Sequence, residues 1–427
     1  MKVLLLGSGG REHAIAWKLV ESSLLSELHI APGNAGMEAI RPVQPILVNN
    51  LDPMDFQAVK RYAKRHDIQL VVVGPEAPLV GGLADALEKE GISVIGPGAN
   101  GAQLEGSKDF AKTFMARHNI PTAAYRSFDA TELEEAIAFL DSFQAPYVLK
   151  ADGLAAGKGV VIVDSKQEAA ATLRKMLVDQ QFGEAGNKVV IEEFLDGIEV
   201  SMFAITDGKS FHLLPSAKDY KRVGEGDTGL NTGGMGAISP VPFVTPEFQE
   251  KALNQIIIPT IKGLQADGIE YKGFLFFGLM KVGGDPYVIE YNCRLGDPET
   301  EVILPRLKSD LLHLFDSLST GLLSEYDMVL DERATSTVIL ASSGYPEGYE
   351  KGEEISGADV MMQNGMVFHA GTKMFRNKLV TNGGRVLALT GWGVNLQDAL
   401  KNSYTLADKI TFAGSFFRKD IGKDCLN

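Results

Sequence analysis

Short apolar runs broken by Gly/Pro loops fill the start of the chain, and longer helical periods interleave with them. Val3–Leu6 is an apolar run that ends in Gly7-Ser8-Gly9-Gly10, after which Ile15-Ala16-Trp17-Lys18-Leu19 has helical spacing. Leu28–Ile30, Leu70–Val73 and Ser93–Ile95 repeat the pattern, ending in Ala31-Pro32-Gly33-Asn34, Gly74-Pro75-Glu76 and Gly96-Pro97. Strand, turn and helix in this rhythm predict a doubly wound parallel-sheet α/β domain over 1–103, with its loops gathered at the carboxyl edge of the sheet where ligands bind. A second unit, 104–326, opens with Ser107 placed to cap the amphipathic segment Phe110–Arg117. Within it, 121–190 reads as a small subdomain in which the helical stretches Thr131–Phe143 and Lys166–Asp179 flank a strand–loop–strand hairpin. Strand-like runs follow at Val189–Leu195, Gly273–Met280 and Tyr287–Asn292. From 327 the pattern becomes a strand-rich α+β unit, with Thr337–Leu340, Val367–Thr372 and Arg385–Thr390 as strands and Leu396–Ile410 as a closing helix. The expected architecture is thus α/β and α+β multidomain.

Composition narrows the function. With 41 Lys+Arg against 55 Asp+Glu the net charge is -14, which opposes general binding to nucleic acid or anionic membrane. Small anions, which respond to local clusters and helix N-termini, are not opposed. Cys293 and Cys425 are the two cysteines, too few for a disulfide framework or a cysteine metal cluster, and they fit a reducing cytosol. The N-terminal apolar run is too short for a signal peptide and no run has transmembrane length, so a cytoplasmic location is expected.

Four stretches carry candidate chemistry. The first, V-L-K-A-D-G-L-A-A-G-K-G-V over Val148–Val160, sets Lys150 and Lys158 around small residues. Glycines let a backbone approach a ligand closely and lysine suits phosphate oxygens, so the stretch reads as a phosphate-covering flap or as a surface hairpin with two solvated lysines. In the second, Glu192-Glu193-Phe194-Leu195 ends an apolar strand that could give an adenine ring backbone hydrogen bonds, with Glu199 near a ribose; a solvated edge strand is the alternative. The third is the basic cluster Lys218–Arg222 and the Gly-rich run Gly224–Gly236, read as a loop contacting a polyanion. The fourth is Y-V-I-E-Y-N-C-R-L-G-D-P-E, where strand alternation puts Glu290 and Asn292 on one face, and Arg294 too if the strand continues. A carboxylate beside an amide oxygen suits a hard cation such as Mg²⁺. The run at Gly7 is not a dinucleotide fingerprint, because Glu12 stands where its third glycine would be and no acid follows the second strand. Gly9-Gly10-Arg11 remains either an anion-holding helix N-terminus or a tight packing turn. His369 reads as structural.

Taken together, these motifs resemble the phosphoribosylamine–glycine ligase family of ATP-grasp enzymes. The shared residues are G-S-G-G-R-E-H-A at Gly7, P-G-N-A-G at Pro32, V-G-P-E-A-P-L-V at Val73, L-E-G-S-K at Leu104 and K-A-D-G-L-A-A-G-K-G-V at Lys150. N-T-G-G-M-G-A at Asn231, L-G-D-P-E at Leu295, G-T at Gly371 and T-N-G-G-R-V-L at Thr381 complete the series along essentially the whole chain. Ile198, Leu230 and Leu295 stand where the family usually has an acid, proline and phenylalanine, and Phe276-Phe277-Gly278 offers no second metal carboxylate. The resemblance implies an ATP-grasp fold with a lid, and ligation of glycine to 5-phosphoribosylamine through an acyl phosphate in purine biosynthesis, with ATP and Mg²⁺ or Mn²⁺. It implies Lys108, Lys150, Gly153, Gly157, Lys158, Gly159 and Asn231 at the phosphates, and Glu192, Glu193, Phe194, Leu195 and Glu199 at adenosine. It implies Glu290 and Asn292 as metal ligands, and Arg294, Lys158 and Asp297 in catalysis. For the amine and glycine it implies Gly9, Gly10, Asn34, Gly36, Pro75, Glu76, Asp219, Arg294, Gly296, Asp297 and Pro298. Neither nucleic acid nor membrane is an expected partner, and a monomer or small homo-oligomer is expected. Another ATP-grasp carboxylate–amine ligase or carboxylase-like enzyme is the alternative, with a non-catalytic nucleotide-binding module behind it.

Overall fold

The computed structural model describes residues 1–155 and 159–426. Its first sheet holds β1 (Lys2–Gly7), β2 (Glu27–Pro32), β3 (Ile46–Leu47), β4 (Leu70–Val73) and β5 (Ser93–Ile95), all parallel, in the order β3-β2-β1-β4-β5. Val3–Leu6 is wholly buried, because helices such as α1 (Gly10–Leu19) and α2 (Phe56–Arg65) cover the sheet, which explains the continuous apolar run. Strand order reverses at β1, so the turns after β1 and β4 lie side by side at the carboxyl edge. Glu12 fills the space between them. Its carboxylate accepts the Gly9 N–H at 2.7 Å, and a Cβ on Gly7 or Gly74 would collide with it. The crevice that would cradle a dinucleotide is therefore occupied by a side chain of the protein.

After α3 (Glu76–Val80), α4 (Leu83–Glu88), α5 (Ala99–Gly106) and α6 (Lys108–Arg117) comes an antiparallel four-stranded subdomain. Its strands β6 (Tyr125–Asp129), β7 (Tyr147–Ala151), β8 (Val160–Val163) and β9 (Lys188–Glu192) run in the order β6-β9-β7-β8. Helices α7 (Leu133–Phe139) and α8 (Lys166–Leu177) close its core on Phe128, Leu149, Val189 and Ile191. Alternation along β7 and β9 then sends Lys150 and Glu192 to the opposite face. Since β9 is an interior strand and Glu192 is 3% exposed, the solvated-edge alternative does not hold.

The remaining strands build one large antiparallel sheet. It contains β10 (Ile198–Thr206), β11 (Phe211–Asp219), β14 (Gly236–Ser239), β15 (Gly273–Val282), β16 (Asp285–Asn292), β17 (Ala334–Ser342), β18 (Gly365–His369) and β21 (Arg385–Gly393). Their order is β16-β15-β10-β11-β14-β17-β21-β18. Pairing of β14 with β17 carries the sheet straight across 327, so the boundary expected there divides the chain and not the sheet. Helix α9 (Pro246–Ala252), α10 (Ile258–Ala266), α11 (Thr300–Ile303), α12 (Leu311–Thr320) and α13 (Leu396–Ala407) pack on this frame. Two small hairpins stand apart from it, β12 (Arg222–Gly224) with β13 (Thr228–Asn231), and β19 (Thr372–Phe375) with β20 (Lys378–Thr381).

The first of these hairpins corrects the long loop expected at Gly224–Gly236. Arg418, 2% exposed, donates to the Arg222 carbonyl at 2.9 Å and to Asp227 at 2.8 Å, while Asp420 accepts the Gly226 N–H at 2.8 Å. The C-terminal segment therefore supplies the partners that a free loop would lack. Among the described residues no helix is long and apolar enough to cross a membrane.

Candidate functional site

A cavity of about 380 Å³ opens where α5, α6, the four-stranded subdomain and the ends of β11 and β16 meet. Lysines dominate one side. Lys108 begins α6, whose N-terminus is capped by the Ser107 side chain, and its Nζ donates to the Gly153 carbonyl at 3.2 Å. Lys150 on β7 donates to the Ile289 carbonyl at 3.1 Å and lies 2.9 Å from Glu192 Oε1, too poorly aligned for a good hydrogen bond. Lys112 on α6 sits 3.0 Å from the other oxygen of Glu192 and donates to Thr122 Oγ1 at 2.8 Å. Burial lowers the Lys112 pKa to about 8 despite the opposing pull of Glu192. One carboxylate shared by two buried lysines leaves excess positive charge, which is what a polyphosphate needs.

Of the phosphate and adenosine residues expected from sequence, Lys108, Lys150, Gly159 and Glu192 line this cavity. Gly157 and Lys158 lie outside the described residues. Gly153 makes a close approach, its place for a Cβ being 2.8 Å from the Ala185 Cβ. The Glu192 carboxylate is flanked by Lys112 and Lys150, and its Oε1 makes no hydrogen bond among the described residues. Glu193 is exposed and its N–H donates to the Ala124 carbonyl, while Phe194 and Leu195 are half-buried outside the lining. Glu199 is bound by Lys221, which itself lines the cavity. Asn231 is exposed on β13; its successors Thr232 and Gly233 reach the cavity instead. In the basic cluster, Lys218 pairs with Asp424 and Arg222 with the Gly229 carbonyl, so only Asp219 and Lys221 turn inward.

Glu290 and Asn292 lie on β16 opposite Gly278 and Phe276 of β15, both facing the cavity, and β15 adds no carboxylate there. Burial pushes the Glu290 carboxyl up, but Lys221, Lys150, Lys108 and Arg294 outweigh it and hold its pKa below the ordinary value. An ionised carboxylate with a neighbouring amide oxygen fits a hard cation whose other ligands come from phosphate and water. Among the described residues no three His, Cys, Asp or Glu side chains converge into a protein-only metal cage. Asp219 behaves oppositely: burial raises its carboxyl well above the ordinary range and Lys221 only partly counters it.

The strand stops at Asn292, so Arg294 enters the cavity from a loop and not from a continued strand face. Glu105 on α5 holds it there. One oxygen accepts Arg294 Nη2 at 2.7 Å, the other accepts the Cys293 N–H at 2.8 Å, and the side chain is 6% exposed. Arg294 Nε is buried without a hydrogen bond, 3.5 Å from Glu76 Oε2. Glu105 thus fixes both the loop and the guanidinium. Glu105→Gln keeps the Cys293 contact but loses the charge, and turnover should fall roughly 10–100-fold with little change in the KM for ATP. Steady-state kinetics beside a thermal melt test this, and an unaltered kcat would dismiss the positioning role.

Asp297 is paired with Arg385 at 3.0 Å and accepts the Arg11 N–H at 3.3 Å. Burial pushes its carboxyl up, but Arg385 and Arg11 prevail and hold it low. Glu76, Asp219, Gly296 and Asp297 line the cavity, whereas Gly9, Gly10, Asn34, Gly36, Pro75 and Pro298 do not. The glycines among these pack closely against their neighbours. A Cβ at Gly9 would lie 3.1 Å from Asp297 Oδ2, one at Gly10 would strike Glu301, and one at Gly36 would strike His369. Asn34 donates to the Ser8 and His369 carbonyls at 2.9 and 2.7 Å and accepts the Gly36 N–H, so its side chain ties the first sheet to β18. His369 is structural as expected, its pKa lowered to about 4 by burial.

Glu105, Lys112, Glu299 and Arg385 also line the cavity and were not singled out from sequence as site residues, whereas Lys221, which lines it too, belongs to the basic cluster read as a polyanion contact. Glu105, Glu299 and Arg385 stand inside the quoted motifs at Leu104, Leu295 and Thr381, and that position was their one available signal.

The chain matches the phosphoribosylglycinamide synthetase N domain over 1–105, its ATP-grasp (A) domain over 106–300 and its C domain over 335–424. It is 49% identical to phosphoribosylamine–glycine ligase of Haemophilus influenzae over 424 residues, covering 99% of this chain and 98% of that one. The Pasteurella multocida protein of the same name is 48% identical, covering 99% and 97%. A crystal structure of phosphoribosylamine–glycine ligase from Thermotoga maritima superposes with a TM-score of 0.84 at 37% identity, covering 98% of this chain and 100% of that one. The biotin carboxylase domain of Hydrogenobacter thermophilus 2-oxoglutarate carboxylase, at 16% identity and a TM-score of 0.75, covers 97% and 91% and shares the fold.

Proposed function

The chain belongs to the phosphoribosylglycinamide synthetase family and is an ATP-dependent ligase joining glycine to phosphoribosylamine in purine biosynthesis; from that premise we propose how its residues do so. A carboxylate oxygen of glycine attacks the γ-phosphorus of ATP and ADP leaves, giving glycyl phosphate. The amine of 5-phosphoribosylamine then attacks the carbonyl carbon, phosphate leaves, and the nitrogen loses a proton. Phosphoryl transfer of this kind asks the protein chiefly for positioning and charge stabilisation. Lys108, Lys150 and Lys221 take the phosphate oxygens, and Lys112 holds Glu192 so that Lys150 keeps its place. Glu290 and Asn292 would hold Mg²⁺ (or Mn²⁺), which supplies neutralisation of the phosphate charge. Arg294 stabilises the charge that develops on the acyl phosphate. Asp297, held ionised by Arg385 and Arg11, receives an ammonium group, while Asp219 and Glu299, whose carboxyls burial raises, offer acceptor oxygens to the amines.

The observation that carries this reading is one cavity holding a two-lysine, one-carboxylate cradle opposite the ionised Glu290 and the clamped Arg294. It is a reading for a cytoplasmic monomer or small homo-oligomer acting on small molecules. A coupled ADP-release assay with glycine and freshly made phosphoribosylamine, each omitted in turn, checks it. ADP release should require both substrates to reach its full rate. Equal release with formate or bicarbonate in place of glycine would overturn the assignment.

A further inference from the structure

A second cavity, of about 220 Å³, shares no lining residue with the first. Met202, Leu214, Val241 and Leu330 give it apolar walls, and Arg306 supplies its one charge. Arg306 is 9% exposed. Its Nε donates to the Asp331 carbonyl at 3.3 Å and its Nη1 to Ser239 Oγ at 2.8 Å, and among the described residues Nη2 has no hydrogen-bond partner. Among the described residues no carboxylate lies within 4.0 Å of it. The nearest acid in sequence contact, Asp331, turns its carboxylate to Arg333, at 3.0 Å from Nε and 2.7 Å from Nη2. Buried charges in folded proteins are normally paired, and a guanidinium cannot escape by losing its proton. Two neutral acceptors satisfy hydrogen bonds but do not neutralise the cation. Burial accordingly lowers the Arg306 pKa, with the Asp331 charge opposing it.

A buried cation without an ion-pair partner in a largely apolar cavity, to which Ser216 and Gln249 add the other polar side chains, is the arrangement of a small-ligand site, in which apolar walls supply contact area and a few polar groups set orientation. We propose that this cavity binds a small amphipathic monocarboxylate, with its apolar body against Met202, Leu214, Val241 and Leu330 and its carboxylate on Arg306 Nη2. A single free guanidinium nitrogen between apolar walls favours a monoanion with a hydrocarbon tail over a fully hydrated dianion. The site is separate from the glycine and nucleotide chemistry, although β11 runs through both cavities: Leu214 lines this one and Asp219 the other.

Hexanoate is a suitable probe for calorimetric titration of the full chain, with hexanol and inorganic phosphate as controls. Hexanoate should bind saturably, hexanol and phosphate at least tenfold more weakly, and Arg306→Leu should weaken hexanoate at least tenfold. Leu330→Trp, which fills the cavity from a half-buried wall, should abolish hexanoate binding while ADP release stays at its unmodified rate; it decides the matter if Arg306→Leu fails to fold. No saturable hexanoate binding overturns the proposal, as does binding that survives Leu330→Trp. Phosphate binding as tightly as hexanoate would overturn the amphipathic class.

Discussion

Glu290→Ala is expected to lose ATP turnover by about 10³-fold or more at every Mg²⁺ concentration, while the protein stays folded. The side chain stands at the end of β16 facing the cavity, where its pKa is held below the ordinary value by Lys221, Lys150, Lys108 and Arg294. Removing it takes away the one ionised oxygen ligand that the strand offers, and no neighbour replaces it, because β15 presents Phe276 and Gly278 across the register. More Mg²⁺ cannot compensate when the ligand itself is gone. The fold should survive because Glu290 makes no ion pair within 4.0 Å among the described residues, and its strand is held by backbone pairing to β15. ADP release across a Mg²⁺ titration, beside a thermal melt of the same sample, makes the measurement. Near-normal turnover would remove Glu290 from the metal assignment.

Arg294→Ala should lower both activity and stability. Loss of the guanidinium from the developing acyl phosphate should cost about 10²–10³-fold in kcat. It also strands Glu105, whose burial raises its carboxyl while Arg294 draws it down. Breaking a buried pair by removing one partner typically costs about 3–5 kcal/mol, so the thermal midpoint should fall substantially. Adding Glu105→Gln to Arg294→Ala removes the stranded charge and should restore most of the midpoint without restoring kcat. Recovery of turnover along with stability would mean that Arg294 acts only through the fold.

Those two residues also show what a sequence displays and what it conceals. Glu290 and Asn292 were legible because strand alternation is local: two residues apart means one face, whatever surrounds them. The Lys150 stretch stood out by composition instead, through lysines set around glycines. Arg294 and Glu105, by contrast, meet across 189 positions and depend on α5 packing against β16. Arg385 reaches the Asp297 carbonyl across 88 positions, and Lys112 meets Glu192 only because α6 lies beside β9. No periodicity announces such pairs. Glycine is ambiguous in a different way. Gly9, Gly10 and Gly36 are crowded by Asp297, Glu301 and His369, and sequence cannot distinguish room made for a neighbour from room made for a ligand. The first sheet and the four-stranded subdomain were legible because they are built from adjacent segments. The sheet running through 327 was hidden because β14 and β17 are joined by nearly a hundred intervening positions.

That shared sheet decides how the protein can be divided. A chain stopped at 326 would lack β17, leaving β14 with one side of its backbone bare, an invitation to pair with another copy. It would also lack Arg385, and with it the counter-charge of Asp297 inside the reaction cavity. The last hundred residues are thus no accessory to a self-sufficient ligase core. The large sheet and the reaction cavity each draw on residues from both sides of 327, through the pairing of β14 with β17 and through Arg385.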